Sequence, residues 1–159
     1  MTIQIGDRIP SETFKTMTEE GIVDLTREQV FGGKRVVLFG VPGAFTPTCS
    51  ARHLPGYVDH LREFKDRGVD TVACLAVNDP FVLDAWSHAT QAQGILMLAD
   101  GSAAFTIKLG LDVDASAHAM GIRSKRFAMV VEDGTVSRLF IEPPGAFEVS
   151  SAEHVLRHL

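Results

Sequence analysis

The chain has 159 residues, 45% of them hydrophobic and 22% charged, and a formal net charge of -5. That length supports one domain with a sizeable core, and the composition is too apolar for global disorder. A mildly acidic surface with short, scattered charge runs argues against nucleic acid or an anionic membrane as the main partner.

The first thirty residues, including "GIVDLTREQVFGGK", read as a small hairpin and a helical turn. "RVVLFG" (35–40) is an unbroken β-favouring run and predicts a buried strand. "YVDHLREFKDRG" (57–68) spaces Val58, Leu61 and Phe64 three apart and closes on Gly68, which predicts a helix. "VDTVACLAV" (69–77) predicts a second buried strand. "DPFVLDAWSHATQAQG" (79–94) predicts a second helix, with Asp79 as N-cap, Pro80 as its first residue and Gly94 past its end. Trp86 falls on its packing face, suited to the core or to a wall near the site.

"ILMLAD" (95–100) predicts a third strand and "SAAFTIKLG" (102–110) a short helix closing on Gly110. "LGLDVDASAHAMGIRSK" (109–125) shows no period and is read as loop. "RFAMVVEDGTVSRLFIEP" (126–143) has two apolar runs about Asp133-Gly134, the signature of a β-hairpin. "SSAEHVLRHL" (150–159) pairs Ser150 with Glu153 as a capping box and predicts a terminal helix. No repeat or linker interrupts this order, so residues 1–159 form a single domain. Alternating strands and helices imply right-handed parallel crossovers. The trailing hairpin adds antiparallel strands. The expected fold class is α/β and thioredoxin-like, a mixed β-sheet with helices on both faces.

The chemistry concentrates in "VPGAFTPTCS" (41–50), directly after the first predicted central strand. Pro47 suits a first helical position, where its missing N–H costs nothing. Thr46, held extended by that proline, suits the N-cap. Cys49 then falls in the first turn, over free N–H donors and the positive end of the helix dipole. A free thiol titrates near about 8.5, and helix starts and nearby cations lower that value. Thr46 and Cys49 are three apart and share one side of the turn, so the Thr46 hydroxyl can steer a small polar molecule to the sulfur. The Pro42 ring can shield it.

Pro42, Thr46 and Cys49 make the pattern P-x-x-x-T-x-x-C, which resembles the active-site motif of the peroxiredoxins. The longer string "GVPGAFTPTCS", with "HLPGY" after it, is similar to the type-II branch of that family. So are "VACLAVND", the "AW" that follows, "LMLAD", "RSKRFAMVVEDG" and the closing "IEP", which together span about Val36 to Pro143. The resemblance implies reduction of hydrogen peroxide and alkyl hydroperoxides through a sulfenic acid. It makes Cys49 the peroxidatic cysteine, Thr46 the hydroxyl donor, Pro42 the shielding proline and Arg126 the cation completing the site. Without it, Arg126 reads as an exposed charge at a strand start, and Arg123 nearby reads as structural. His53, one turn after Cys49, has two readings: a solvated helix-face histidine, or the support of the active-site hydrogen bonds that the branch places there.

Some relatives carry a resolving cysteine near the C-terminus, and this chain has none there. Cys74 is flanked by apolar residues and reads as a buried structural thiol. The branch's precedent for an internal pair keeps it as a possible resolving residue. The expectation is a one-cysteine enzyme regenerated by glutathione with glutaredoxin, or by thioredoxin, with no bound cofactor or metal. A homodimer is implied by resemblance.

Two cysteines cannot make a disulfide framework, and the start has no basic-then-apolar leader pattern, so the cytoplasm is the expected compartment. No apolar run nears the roughly 18 residues of a spanning helix. Rival readings are a Cys49/His53 esterase and a non-catalytic redox-relay or holdase module. A disulfide exchanger is disfavoured because no C-x-x-C occurs.

Overall fold

The structure, a computed structural model, describes residues 1–159. An N-terminal hairpin of β1 (Thr13–Thr18) and β2 (Gly21–Thr26) leads into α1 (Arg27–Phe31) and the central strand β3 (Arg35–Val41). A π-helical turn (Cys49–His53) runs into α2 (Leu54–Asp59) and α3 (Leu61–Asp66). Then come β4 (Thr71–Ala76), α4 (Pro80–Ala89), β5 (Leu96–Ala99) and α5 (Ala104–Leu109). A two-stranded excursion of β6 (Asp112–Asp114) and β7 (Ile122–Ser124) precedes the hairpin β8 (Phe127–Glu132) and β9 (Thr135–Ile141). The chain closes with α6 (Ala152–Arg157).

Seven strands form one mixed sheet in the order β2-β1-β5-β4-β3-β8-β9. β3, β4 and β5 are mutually parallel, while β8 and β1 flank them antiparallel. This is the expected thioredoxin-like α/β architecture. β3 is buried nearly throughout because successive side chains feed two different cores. Val37, Phe39 and Val41 join Cys49, Tyr57, Phe64, Trp86 and Val155 on one face. Val36 and Leu38 join Phe14, Phe31, Phe105 and Leu109 on the other.

Two local features place the ends that carry the chemistry. Gly40, near the end of β3, lies opposite Phe127, the first residue of β8. A Cβ at Gly40 would come within 2.1 Å of the Phe127 ring, so the glycine lets that ring sink between the strands. A methyl there would overpack the site, at a cost of about 1–3 kcal/mol. Residue 126, just before Phe127, is thereby held beside the loop leaving β3. At the far end of the hairpin, Asp133 (φ 48°) and Gly134 (φ 79°) are both left-handed, as a two-residue turn of type I′ requires.

The structure departs from the sequence reading in four places. The helix start foreseen at Pro47 and the helix expected over 57–68 are one continuous run, which breaks at His60 (φ −107°, ψ 9°), between α2 and α3. The helix expected over 79–94 starts as foreseen, with Asp79 accepting from the Val82 N–H at 2.8 Å, but ends at Ala89. There the Thr90 hydroxyl turns back onto the Trp86 carbonyl and Gln91 turns left-handed. The segment 109–125, read as loop, contains β6 and β7. The cap of α6 is Ser151 and not Ser150, because Ser150 is engaged elsewhere.

Candidate active site

The loop between β3 and the following helix is tied from two sides. The Ala44 N–H donates to Asn78 Oδ1 at 3.0 Å, and Arg123 Nη1 donates to the Pro42 carbonyl at 3.3 Å. Arg123 passes so close that a Cβ on Gly43 would lie 2.7 Å from its Nη1, so any larger residue there would push the guanidinium aside. Phe45 sits at φ 64°, a left-handed conformation that costs a bulky residue about 1–3 kcal/mol. The loop is therefore a set geometry held by its neighbours.

Thr46 precedes the helix, as its sequence position implies, and its carbonyl accepts from the Ser50 N–H at 2.9 Å. Its hydroxyl does something other than cap the helix. It donates to the Gly43 carbonyl at 2.7 Å. A carbonyl cannot donate, so the hydroxyl proton is committed, and what Thr46 offers an incoming molecule is a lone pair.

Cys49 opens a π-helical turn in which the Leu54 N–H reaches back five residues to the Cys49 carbonyl. Such single wide turns cluster at functional sites. From α4, Trp86 Nε1 donates to Ser50 Oγ at 3.0 Å and steadies the same turn. Cys49 is buried. Its sulfur accepts from Arg126 Nη2 at 3.3 Å, while Arg126 Nη1 lies 2.9 Å from His53 Nδ1.

A guanidinium has only donors. His53 Nδ1 must therefore accept, which puts the ring proton on Nε2. That nitrogen lies 3.0 Å from the Ser150 carbonyl, which also takes the Tyr57 hydroxyl at 2.7 Å. Burial, and then the Arg126 charge, push the His53 pKa from its ordinary 6.5 to about 3, although the Ser150 bond favours the proton. The imidazole is thus neutral with a fixed tautomer. Tyr57 stacks flat on Phe39 (4.0 Å between centroids, 3° apart) and closes the floor of the site. Phe147 packs 5.0 Å from His53 and lies between two guanidiniums, Arg52 at 4.7 Å and Arg126 at 5.9 Å.

The structure therefore brings Cys49, Arg126 and His53 into direct contact, with Pro42 and Thr46 in the loop that leads to them. His53 is buried, which removes the solvated reading. Its neutral Nδ1, already accepting a hydrogen bond from Arg126, cannot serve as the base an esterase needs. Cys74 lies in β4 opposite Phe39, free and buried. Burial, followed by the nearby Cys49 charge, pushes its thiol well up, with Arg126 opposing. Ser150, Tyr57, Glu142, Phe147 and Asn78 were given no role at the site by the sequence reading, because their contacts with it are made through the fold and not through local spacing. Arg123, read as structural, is the brace of the loop.

No group of three His, Cys, Asp or Glu side chains is placed to hold a metal. A surface cavity of about 860 Å³ runs between α3, α4, β5 and the β1–β2 hairpin, and none of the residues above lines it. The chemistry of Cys49 and Arg126 suits a small substrate rather than that groove.

A family described as Redoxin matches residues 4–156. The chain is 43% identical to a peroxiredoxin of Synechocystis, over 96% of this chain and 89% of that one. It is 41% identical to peroxiredoxin-2B of Arabidopsis thaliana, over 99% and 98%. A reduced Prx3 of Vibrio vulnificus, solved in complex with hydrogen peroxide, superimposes with a TM-score of 0.96 at 48% identity, covering 99% of each chain.

The buried neutral histidine makes stability pH-dependent with a definite sign. Below about pH 6.5 the unfolded chain protonates His53 and the folded chain does not, until pH falls to about 3. Stability contributed by this residue is complete above the unfolded value and is lost as pH falls, by at most about 1.4 kcal/mol per pH unit. Urea unfolding between about pH 7 and about pH 5 should show that slope, and His53→Gln should flatten it. Equal slopes in the two proteins would show that His53 is protonated in the fold.

Proposed function

The chain belongs to the redoxin family as a type-II peroxiredoxin, a thiol-dependent peroxidase, and from that premise we propose how its residues divide the work. Cys49 is the peroxidatic cysteine. Its thiolate attacks the terminal oxygen of ROOH; the S–O bond forms as the O–O bond breaks, leaving a sulfenic acid on Cys49 and RO⁻, which takes a proton from water. Arg126 carries the reading. It sets a fixed positive charge against the sulfur, and its donors not held by Cys49 and His53 can meet the charge that grows on the departing oxygen. Thr46 accepts the hydroperoxide O–H and orients the substrate, a reversal of the donor role expected from the family. Pro42 walls the entrance.

We take the enzyme to be of the one-cysteine kind. Cys74 is kept as a thiol by its apolar surroundings, and the thiolate is the form that attacks a sulfenic acid. An external thiol then condenses with the sulfenic acid, releasing water, and a second thiol frees Cys49 as the disulfide leaves. Glutathione with glutaredoxin is the first choice of reductant and thioredoxin the second. Because the sulfur is buried, a thiol of that size reaches it only after the first turn of the helix moves. No helix is long and apolar enough to cross a membrane. Two free cysteines suit a reducing compartment, and we place the protein in the cytoplasm, although one relative at 39% identity is named as chloroplastic. A homodimer would cover Phe45, in the loop after β3, and Ile122, at the start of β7, which are 56% and 39% exposed.

Intact mass after one equivalent of hydrogen peroxide tests the cysteine assignment. The expected product carries one added oxygen, and it forms equally in Cys74→Ser and not at all in Cys49→Ser. A loss of two hydrogens without added oxygen would mean a Cys49–Cys74 disulfide and a two-cysteine enzyme. Sustained peroxide consumption with glutathione and glutaredoxin is expected, against a slower rate with thioredoxin and its reductase. Consumption that stops after one equivalent with either system would fit a relay module instead. Sedimentation is expected to give twice the chain mass, falling to one chain in Phe45→Glu; a wild-type monomer would refute the dimer.

A further inference from the structure

We propose that Glu142 is a positioning residue for this reaction: its carboxylate, acting through Ser150, locks the orientation and tautomer of His53 and so aims Arg126 at the Cys49 sulfur. The proposal rests on the reading of Cys49 as the nucleophile.

Glu142 directly follows β9 and is 5% exposed. One oxygen, Oε2, accepts three hydrogen bonds: from the Glu148 N–H at 2.7 Å, the Ser150 N–H at 2.8 Å and the Ser150 hydroxyl at 2.7 Å. Burial alone would raise its carboxyl, but the donors of Ser150, Glu148 and Val149 outweigh burial and hold it below the ordinary carboxylate range. An ionised acceptor makes shorter and roughly twofold stronger hydrogen bonds than a neutral one. What this anion ties down is the segment from Pro143 to Ser150.

Ser150 is gripped from both sides. Its N–H and hydroxyl are on Glu142, and the next residue, Ser151, caps α6, with its hydroxyl on the His154 N–H at 3.1 Å and its carbonyl on the Val155 N–H at 3.0 Å. The Ser150 carbonyl is one step ahead of the helix, which makes no use of it. It is left pointing at His53 Nε2 and the Tyr57 hydroxyl. The same segment carries Phe147, whose ring packs against His53 and lies near the Arg126 guanidinium.

The consequence is a tautomer lock. With the Ser150 carbonyl in place, the ring proton stays on Nε2 and Nδ1 is an acceptor for Arg126. With that carbonyl displaced, a proton on Nδ1 would face a guanidinium that has only donors, and Arg126 would be turned away from the sulfur. The main-chain bond from the Glu142 N–H to the Arg126 carbonyl at 3.0 Å survives any substitution of the side chain, so side-chain variants test the clamp alone.

The experiment compares Glu142→Leu, which removes the acceptor, with Glu142→Gln, which keeps one. Ser150→Ala, which removes only the hydroxyl bond, is the milder variant should Leu fail to fold. Two readouts are taken: the rate of Cys49 oxidation by hydrogen peroxide in a single turnover, and the ¹⁵N shifts of the His53 ring. Glu142→Leu is expected to slow oxidation about 10- to 100-fold, the cost of misplacing a catalytic group by about an ångström. Its His53 ring should lose the pure Nε2–H signature. Glu142→Gln should keep both within a few-fold of wild type, and Ser150→Ala should fall between. In a His53→Phe background, Glu142→Leu should add little further loss.

An unchanged tautomer signature in Glu142→Leu or in Ser150→Ala would overturn the proposal. So would a loss of rate that persists in full without His53, since the clamp would then not act through it. The ring shifts report on the clamp whether or not peroxide is turned over. A wild-type protein that fails to consume peroxide would therefore sink the functional reading and leave the clamp to be judged on the shifts.

Discussion

Arg126 gives one terminal nitrogen to the Cys49 sulfur and the other to His53 Nδ1. Because a guanidinium is planar and can only donate, that double contact imposes conditions on everything it touches. The sulfur must offer a lone pair to it. The imidazole must offer a lone pair, which requires it to be neutral and to carry its proton on the far nitrogen. The far nitrogen then needs an acceptor, and the Ser150 carbonyl is there to provide it. A buried imidazole whose protonation is this disfavoured is costly to charge, and this one need not be charged.

The two cysteines show how surroundings decide the fate of one functional group. Both are buried, and both belong to the same apolar core. Cys49 sits at the start of a helix with a cation against its sulfur. Cys74 sits in the middle of a parallel strand, across from Phe39. The fold produces this difference through strand ends. β3 and β8 run antiparallel with Gly40 beside Phe127, so the loop leaving β3 meets the residue entering β8. Cys49 and Arg126 are 77 residues apart in sequence and adjoin because of that one register.

Much of this was legible in the sequence where local chemistry dominates. The unbroken apolar run at 35–40, the Asp79-Pro80 helix start and the Asp133-Gly134 turn each obey short-range rules, and each appears where those rules put it. The helix starting at Pro47, and the shared face of Cys49 and His53, follow from spacing alone. What stayed hidden depends on distant partners. The cap of α6 moved from Ser150 to Ser151 because Glu142 claims the polar groups of Ser150. The Thr46 hydroxyl donates to the Gly43 carbonyl instead of capping a helix N–H, because the loop folds back on itself. The strands β6 and β7 are three residues each and too short to show a period. No pattern in the sequence could have told a solvated His53 from a buried one.

The account depends on the fork of Arg126 and not merely on its charge. The direct measurement is the single-turnover rate of Cys49 oxidation by hydrogen peroxide in Arg126→Lys beside wild type, at neutral pH. Lysine keeps a cation in place but cannot hold sulfur and imidazole at once in a fixed plane. The rate should fall by at least about tenfold, on the order of 1.4 kcal/mol, and the ultraviolet signal of the thiolate should fall with it. A lysine variant that oxidises as fast as wild type would show that a positive charge alone suffices and that the two-pronged contact is incidental.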